Sequence, residues 1–239
     1  MSKTDELLIR ALHEARIFVT DDQRALLARH LDLVIERNRN VNLTRITSLE
    51  EATYLHVVDS LLLLDAFENA PDGPFVDMGT GAGFPGIPLA IVTGRQGLLV
   101  DSVGKKAKAV SEFVDDLGIS NRVQVAAARM EQVGKDRRAS FSVATARAVA
   151  QTNVLVEYAA PMLRRGGRLV VAKARPSEEE LAAGKRAANV CGMRYVSREA
   201  FELPRDLGHR EILSYERVGK PKLALPRAIG MAKHHPLGT

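Results

Sequence analysis

The stretch Phe75-Val76-Asp77-Met78-Gly79-Thr80-Gly81-Ala82-Gly83-Phe84-Pro85-Gly86-Ile87-Pro88 restricts this chain more than any other. An apolar pair runs into a carboxylate, three glycines follow within five residues, and prolines mark a helix start. The pattern predicts strand, tight turn, helix. Glycine suits such a corner because the backbone must take positive φ and lie against a ligand with no Cβ in the way.

Read from Gly81, the string also fits the G-x-G-x-x-G dinucleotide fingerprint, with Asp101 twenty residues further on. The match alone leaves three readings: NAD or another nucleotide, a different adenosine cofactor, or an ordinary glycine-rich turn with a capping acid. A dinucleotide sets its pyrophosphate on free N–H groups at a helix start. Pro85 and Pro88 each remove one such group. Asp77 would repel a diphosphate, whereas it suits a ligand with an ammonium and a sulfonium, as in S-adenosylmethionine.

The chain changes grain near residue 70. Before it, Leu7, Leu8, Ala11, Leu12 and Ala15 recur at helical spacing. Thr20-Asp21-Asp22 caps a second helix carrying Leu26, Leu27, Leu31 and Val34, and Ser48 with Glu51 opens a third through His56, Asp59 and Leu61 to Leu64. His56 and Asp59 read as a buried or capping polar pair, with Ser60 unassigned. Beyond residue 74, strands and helices alternate, as in a parallel sheet covered on both faces. Expected strands are Phe75 to Asp77, Gly97 to Asp101, Val123 to Ala126, Phe141 to Thr145 and Leu169 to Ala172, then an antiparallel edge pair near 193–201 and 211–217. That is an α/β, Rossmann-like, seven-stranded sheet: residues 1–70 a helical extension, 71–217 the core, 218–239 a basic arm.

Ligands in such sheets sit beyond the carboxyl ends of the strands. Asp77 and Asp101 are therefore expected at one crevice, Asp101 facing ribose hydroxyls or else capping a helix. Met130 and Glu131, in the loop after the third strand, would border an adenine, although Met130 also fits core filling. Arg147 and Lys173 follow the fourth and fifth strands and are expected to position a substrate, with a surface ion pair the alternative for Arg147.

Composition matters for partners. The net charge of +5 suits an anionic macromolecule without demanding one. Lys220, Lys222, Arg227 and Lys233 follow Arg217 with no acid among them, and their Pro- and Gly-containing setting predicts an arm rather than a helix. It reads as an RNA clamp or a solvated tail. Lys105 and Lys106 add to a basic face or form a solvent-facing stripe. Cys191 is the single cysteine, so no internal disulfide or multi-cysteine metal site is available and no metal is expected. A mixed-charge N-terminus and no long apolar run predict a cytoplasmic chain without a membrane span; a monomer is expected.

Motifs along nearly the whole length resemble one family. Asn40-Val41-Asn42-Leu43-Thr44, His56-Val57-Val58-Asp59-Ser60-Leu61, Asp77 through Gly86, Asp101-Ser102 with Lys105-Lys106, Thr145 through Ala150, and Leu225-Pro226-Arg227-Ala228-Ile229-Gly230 through Leu237 look like the bacterial ribosomal-RNA small-subunit methyltransferase G family, also called glucose-inhibited division protein B. The resemblance implies a class I S-adenosylmethionine-dependent methyltransferase acting on N7 of one guanine, guanine-527, in 16S ribosomal RNA or the small ribosomal subunit. It implies cofactor contacts by Asp77, Gly79, Gly81, Phe84, Asp101, Met130, Glu131 and Arg147, and RNA contacts by Lys105, Lys106, Lys220, Arg227 and Lys233. N7 has a free lone pair and loses no proton on methylation, so no general base is expected. Phe84 is a candidate stacking surface, core packing being its other reading. The rival readings are a non-catalytic RNA or ribosome-assembly factor that retains the fold, and a small-molecule or NAD-dependent enzyme.

Overall fold

The computed structural model describes residues 2–239. Seven strands form one sheet: β1 Phe75–Met78, β2 Gly97–Asp101, β3 Val123–Ala127, β4 Phe141–Arg147, β5 Leu163–Lys173, β6 Met193–Glu202 and β7 His209–Arg217. The order is β3-β2-β1-β4-β5-β7-β6, parallel from β3 to β5 and antiparallel at β5/β7 and β7/β6. Five parallel strands and an antiparallel edge pair were expected. β1, β2 and β4 are buried along almost their whole length, whereas edge strand β6 alternates half-buried and exposed positions after Met193 and carries Arg194 and Arg198. Such charges discourage further strand pairing.

The sheet divides the core. On one face, Leu8 and Leu12 of α1 (Lys3–Glu14) and Leu27 and Leu31 of α2 (Asp21–Asn38) share a cluster with Phe75, Leu99, Ile87 of α6 (Gly86–Thr93) and Phe113 of α7 (Gly104–Asp116). The other face collects α8 (Met130–Asp136), α9 (Thr152–Met162), α10 (Glu178–Val190) and, from the C-terminal segment, Leu225 and Ala232. The N-terminal helices are thus one covering layer of the sheet. The C-terminal segment is packed as well, with a short α11 at Met231–His234 where an arm without helix was expected.

Caps read from sequence are present: Thr20 accepts from the Gln23 N–H in a reciprocal capping box, and Ser48 accepts from the Glu51 amide; Ser177 caps α10 (Glu178–Val190) in the same way. The third helix differs from expectation. It starts as α3 (Leu49–Ala52), becomes a π-helix over Thr53–Val58, and resumes as α4 (Asp59–Leu61), followed by α5 (Leu64–Glu68). π-helical turns recur at functional sites, and this one carries His56 and delivers Asp59.

Candidate active site

β1 pairs with β2 on one side and β4 on the other, so the crossover direction reverses beside β1. The sheet's main cleft, about 690 Å³, lies at the carboxyl ends of these strands. Its floor is the glycine turn. Gly79 sits at φ +77°, and a Cβ there would come within 2.7 Å of Val149 Cγ2. Gly81, at φ +60°, has no atom within 4 Å of the place a Cβ would occupy. Gly81 keeps a cradle open to a ligand; Gly79 lets Val149 close against the turn.

Asp101 lines this cleft, its Oδ2 accepting from the Gly81 N–H at 3.0 Å and its Oδ1 from the Val103 N–H at 2.8 Å. It therefore sets the turn's height, and a carboxylate has further lone-pair sites for a ligand. Asp77, expected at the cofactor, stands elsewhere. That carboxylate is wholly buried beneath the turn, outside the cleft lining, because its Oδ2 accepts from the Gly86 N–H at 2.9 Å. Burial pushes its pKa up to about 6, offset in part by the Thr80 hydroxyl and the Gly86 N–H.

The start of α6 offers little to an anion. Pro85 and Pro88 have no N–H, the Gly86 N–H goes to Asp77, and the Ile87 N–H goes to the Gly83 carbonyl at 2.8 Å. A pyrophosphate would meet no free donor in the first turn, which disfavours the dinucleotide reading.

Asp59 gathers a second group. Its Oδ2 accepts from Arg147 Nη1 and its Oδ1 from Arg210 Nε, both at 2.8 Å. Arg147 also donates to the Leu55 carbonyl at 2.6 Å and approaches His56 Nδ1 at 3.4 Å. His56 Nε2 meets the Thr44 hydroxyl at 2.9 Å, and burial, with the Arg147 charge second, lowers its pKa to about 3. The imidazole is neutral near pH 7. Phe84, 4% exposed, stacks on His56 with centroids 4.6 Å apart at 10°, and Arg147 lies 5.6 Å from its centroid. It links the glycine turn to the arginine cluster, so its role here is packing rather than an open stacking platform.

The remaining expected residues fall into two sets. Met130 and Glu131 line the cleft but form the first turn of α8, not a loop, and the Glu131 carboxylate accepts from the Gly230 N–H at 2.8 Å. Lys173 is held by Glu180 and the Ala150 carbonyl, both at 2.6 Å, and Arg227 by Glu157. Neither is free for a substrate, because each is engaged by a carboxylate, Glu180 half-buried and Glu157 buried. Lys106 and Lys233 line the cleft without such a partner among the described residues, as does Arg129; Lys105 and Lys220 are exposed. Ala148, between Arg147 and Val149, takes φ +55°, strained backbone of the kind found at ligand sites.

Sequence reading missed Arg210 and Tyr158 altogether, and gave Thr44 no role of its own; all three line the cleft. Arg210 comes from β7, and no local motif marks it. The phenol of Tyr158 is pushed up to about 12, by burial first and then by Glu131 and Glu157. Among the described residues no group of three His, Cys, Asp or Glu side chains is disposed to hold a metal, and no helix is long and apolar enough to cross a membrane.

Residues 23–208 match the family model described as rRNA small subunit methyltransferase G. A Gloeobacter violaceus protein named ribosomal RNA small subunit methyltransferase G is 38% identical over 87% of this chain and 83% of its own length. The Chloroflexus aggregans protein of the same name is 36% identical over 98% of both chains. Among solved structures, the Burkholderia thailandensis 1,6-didemethyltoxoflavin-N1-methyltransferase, with bound S-adenosylhomocysteine, is similar with a TM-score of 0.54 at 18% identity, covering 82% of this chain and 88% of that one. At that identity the likeness concerns the fold.

Proposed function

The chain belongs to the rRNA small subunit methyltransferase G family, and from that premise we propose that it methylates N7 of a single guanine of 16S ribosomal RNA with S-adenosylmethionine as donor. The observation that carries the reading is the cleft floor, where the Gly81 cradle stands open with the Asp101 carboxylate beside it. A dinucleotide reading lacks the helix-start donors it needs, whereas an adenosine cofactor without a diphosphate does not require them. Gly81 admits the ligand's close approach, Asp101 offers oxygens to ribose hydroxyls, and Met130 offers an apolar wall to the adenine. The cofactor supplies an electrophilic methyl group on a sulfonium.

The protein's own contribution is orientation and charge. N7 needs no proton removed, so the neutral, doubly engaged His56 is not called upon as a base. Alignment of two reactants contributes up to about 7–11 kcal/mol in favourable cases. Asp59 fixes Arg147 and Arg210, and with them the rim on which a base would rest. Lys106, Arg129 and Lys233 leave positive charge for phosphates. N7 lies in the deep major groove of paired RNA, which side chains read poorly, so the target guanine is expected in a loop or flipped out. The work belongs to the cytoplasm, with the small subunit or its RNA.

The test is transfer of labelled methyl from S-adenosylmethionine to small subunits, and separately to naked 16S RNA, from cells lacking this protein. The expected result is one N7-methylguanine per RNA. Label at another atom, or none while the cofactor still binds, overturns the substrate assignment.

A further inference from the structure

The C-terminal segment is held more firmly than a flexible clamp requires. Arg227 meets Glu157 with two bonds, Nε to Oε1 at 2.8 Å and Nη2 to Oε2 at 2.6 Å, and Glu157 is only 3% exposed. Arg227 Nη2 also donates to the His235 carbonyl at 2.8 Å, which folds the segment back over α11. Asn153 Nδ2 donates to the Leu237 carbonyl at 3.0 Å, and Arg138 to the Leu225 carbonyl at 2.5 Å. Residues 228–234 are thus tied down on both sides.

What they reach is the cleft. Gly230, at φ +86°, gives its N–H to Glu131, which stands beside Met130 in the cleft lining, and Lys233 lines the same cleft. Tyr158, between the charges of Glu131 and Glu157, completes a polar seam from the lining to Arg227. If the segment lifted, two buried carboxylates would lose their partners together, a costly state.

We propose that Arg227 is a positioning residue: by pairing with Glu157 it docks the C-terminal segment as a wall of the cleft, holding Gly230 on Glu131 and Lys233 at the substrate's side. Glu131 is then the strut of the cofactor wall, not a ligand, and binding in the cleft depends on a segment remote in sequence. What the cleft holds rests on the methyl-transfer reading.

The test compares full-length wild type with Arg227→Ala, Arg227→Lys and Gly230→Ala. Titration calorimetry reads S-adenosylmethionine affinity, small-subunit methylation reads KM and kcat, and thermal melting reads stability. Arg227→Ala is expected to weaken cofactor binding roughly tenfold and raise KM comparably with a smaller change in kcat; Arg227→Lys restores part of both. Gly230→Ala, which keeps the ion pair but strains the αL position, is expected to show the same signature and serves if Arg227→Ala does not fold. A lowered melting temperature with cofactor Kd and KM both within about twofold of wild type makes Arg227 merely structural and overturns the proposal. The two readings separate cleanly, since wild type that does not bind S-adenosylmethionine refutes the methyl-transfer reading, whereas binding equal in wild type and variants refutes this one alone.

Discussion

The glycine turn and the arginine cluster meet at Phe84 but are built differently. From Gly79 to Phe84 the cleft lining is one run of sequence, shaped by backbone dihedrals and by amides bonded to Val100, Thr80 and Asp101. Thr44, His56, Asp59, Arg147 and Arg210 come from four separate parts of the chain, and side-chain bonds to Asp59 and His56 hold them together. A backbone-built site fails by strain at single positions. A site built from side chains fails by leaving charges unpaired, and its parts fail together.

The largest effect should follow from that coupling. Asp59→Ala leaves Arg147 and Arg210, each less than one-fifth exposed, without their shared carboxylate. Breaking a buried pair in this way costs about 3–5 kcal/mol. Melting should show a large loss, and Arg147→Ala made on top of it should add little, since the pair already lacks its partner. Additive losses would mean the arginines are held independently, and the comparison would fail.

On the glycine turn, Gly79→Ala and Gly81→Ala should part company. Gly79→Ala places a Cβ at positive φ and 2.7 Å from Val149. Strain and overpacking of this kind each cost about 1–3 kcal/mol. Gly81→Ala meets no neighbour, so its melting temperature should fall by the smaller cost of αL backbone, about 1 kcal/mol, while cofactor affinity drops more than for any surface change. Equal affinity in wild type and Gly81→Ala would remove the cradle from the cofactor's path.

The two regions also answer pH in opposite senses. Asp77 under the turn has its pKa raised from 3.8 to about 6, so the folded state holds this proton more tightly and the carboxyl's contribution to stability is lost as pH rises through that window. Asp77→Asn, which keeps an oxygen for the Gly86 N–H, should therefore gain stability above pH 6, by up to about 3 kcal/mol, and lose the gain below about pH 4. In the arginine cluster, His56 is lowered from 6.5 to about 3, mainly by burial. Its contribution is present above pH 6.5 and is lost as pH falls below it, because unfolding lets the imidazole take up a proton. Melting curves from pH 4 to 8 test both signs, and a stability for Asp77→Asn parallel to wild type across that range would contradict the buried acid.

The same contrast explains what the sequence disclosed. The strands themselves, the glycine corner and the caps at Thr20 and Ser48 rest on neighbours in the chain, where alternation and turn chemistry act locally. Phe84 and Asp101 were legible as residues of the site, although not what each touches. Arg147 and Lys173 were correctly placed at strand ends, but Asp59 and Glu180, which occupy them, reach them only through tertiary packing. Arg227 read as an RNA contact because nothing near it in sequence announces Glu157. The π-turn over Thr53–Val58 has no pattern of its own, so the helix read as regular and its delivery of His56 and Asp59 to the cleft stayed hidden.

The smallest effect tests whether the cations without partners differ from those with them. Lys106 is half-buried at the cleft and makes no ion pair among the described residues, so Lys106→Ala should leave the melting temperature within about 0.5 kcal/mol of wild type. If it meets a phosphate, RNA binding should weaken at low salt and the slope of log K against log salt should shrink by about one, with the difference fading as salt rises. Arg210→Ala should behave the other way, losing stability first because Asp59 loses half its neutralisation. A salt slope unchanged in Lys106→Ala would assign that lysine to the solvated face of α7 and leave the RNA's phosphates to Arg129 and Lys233.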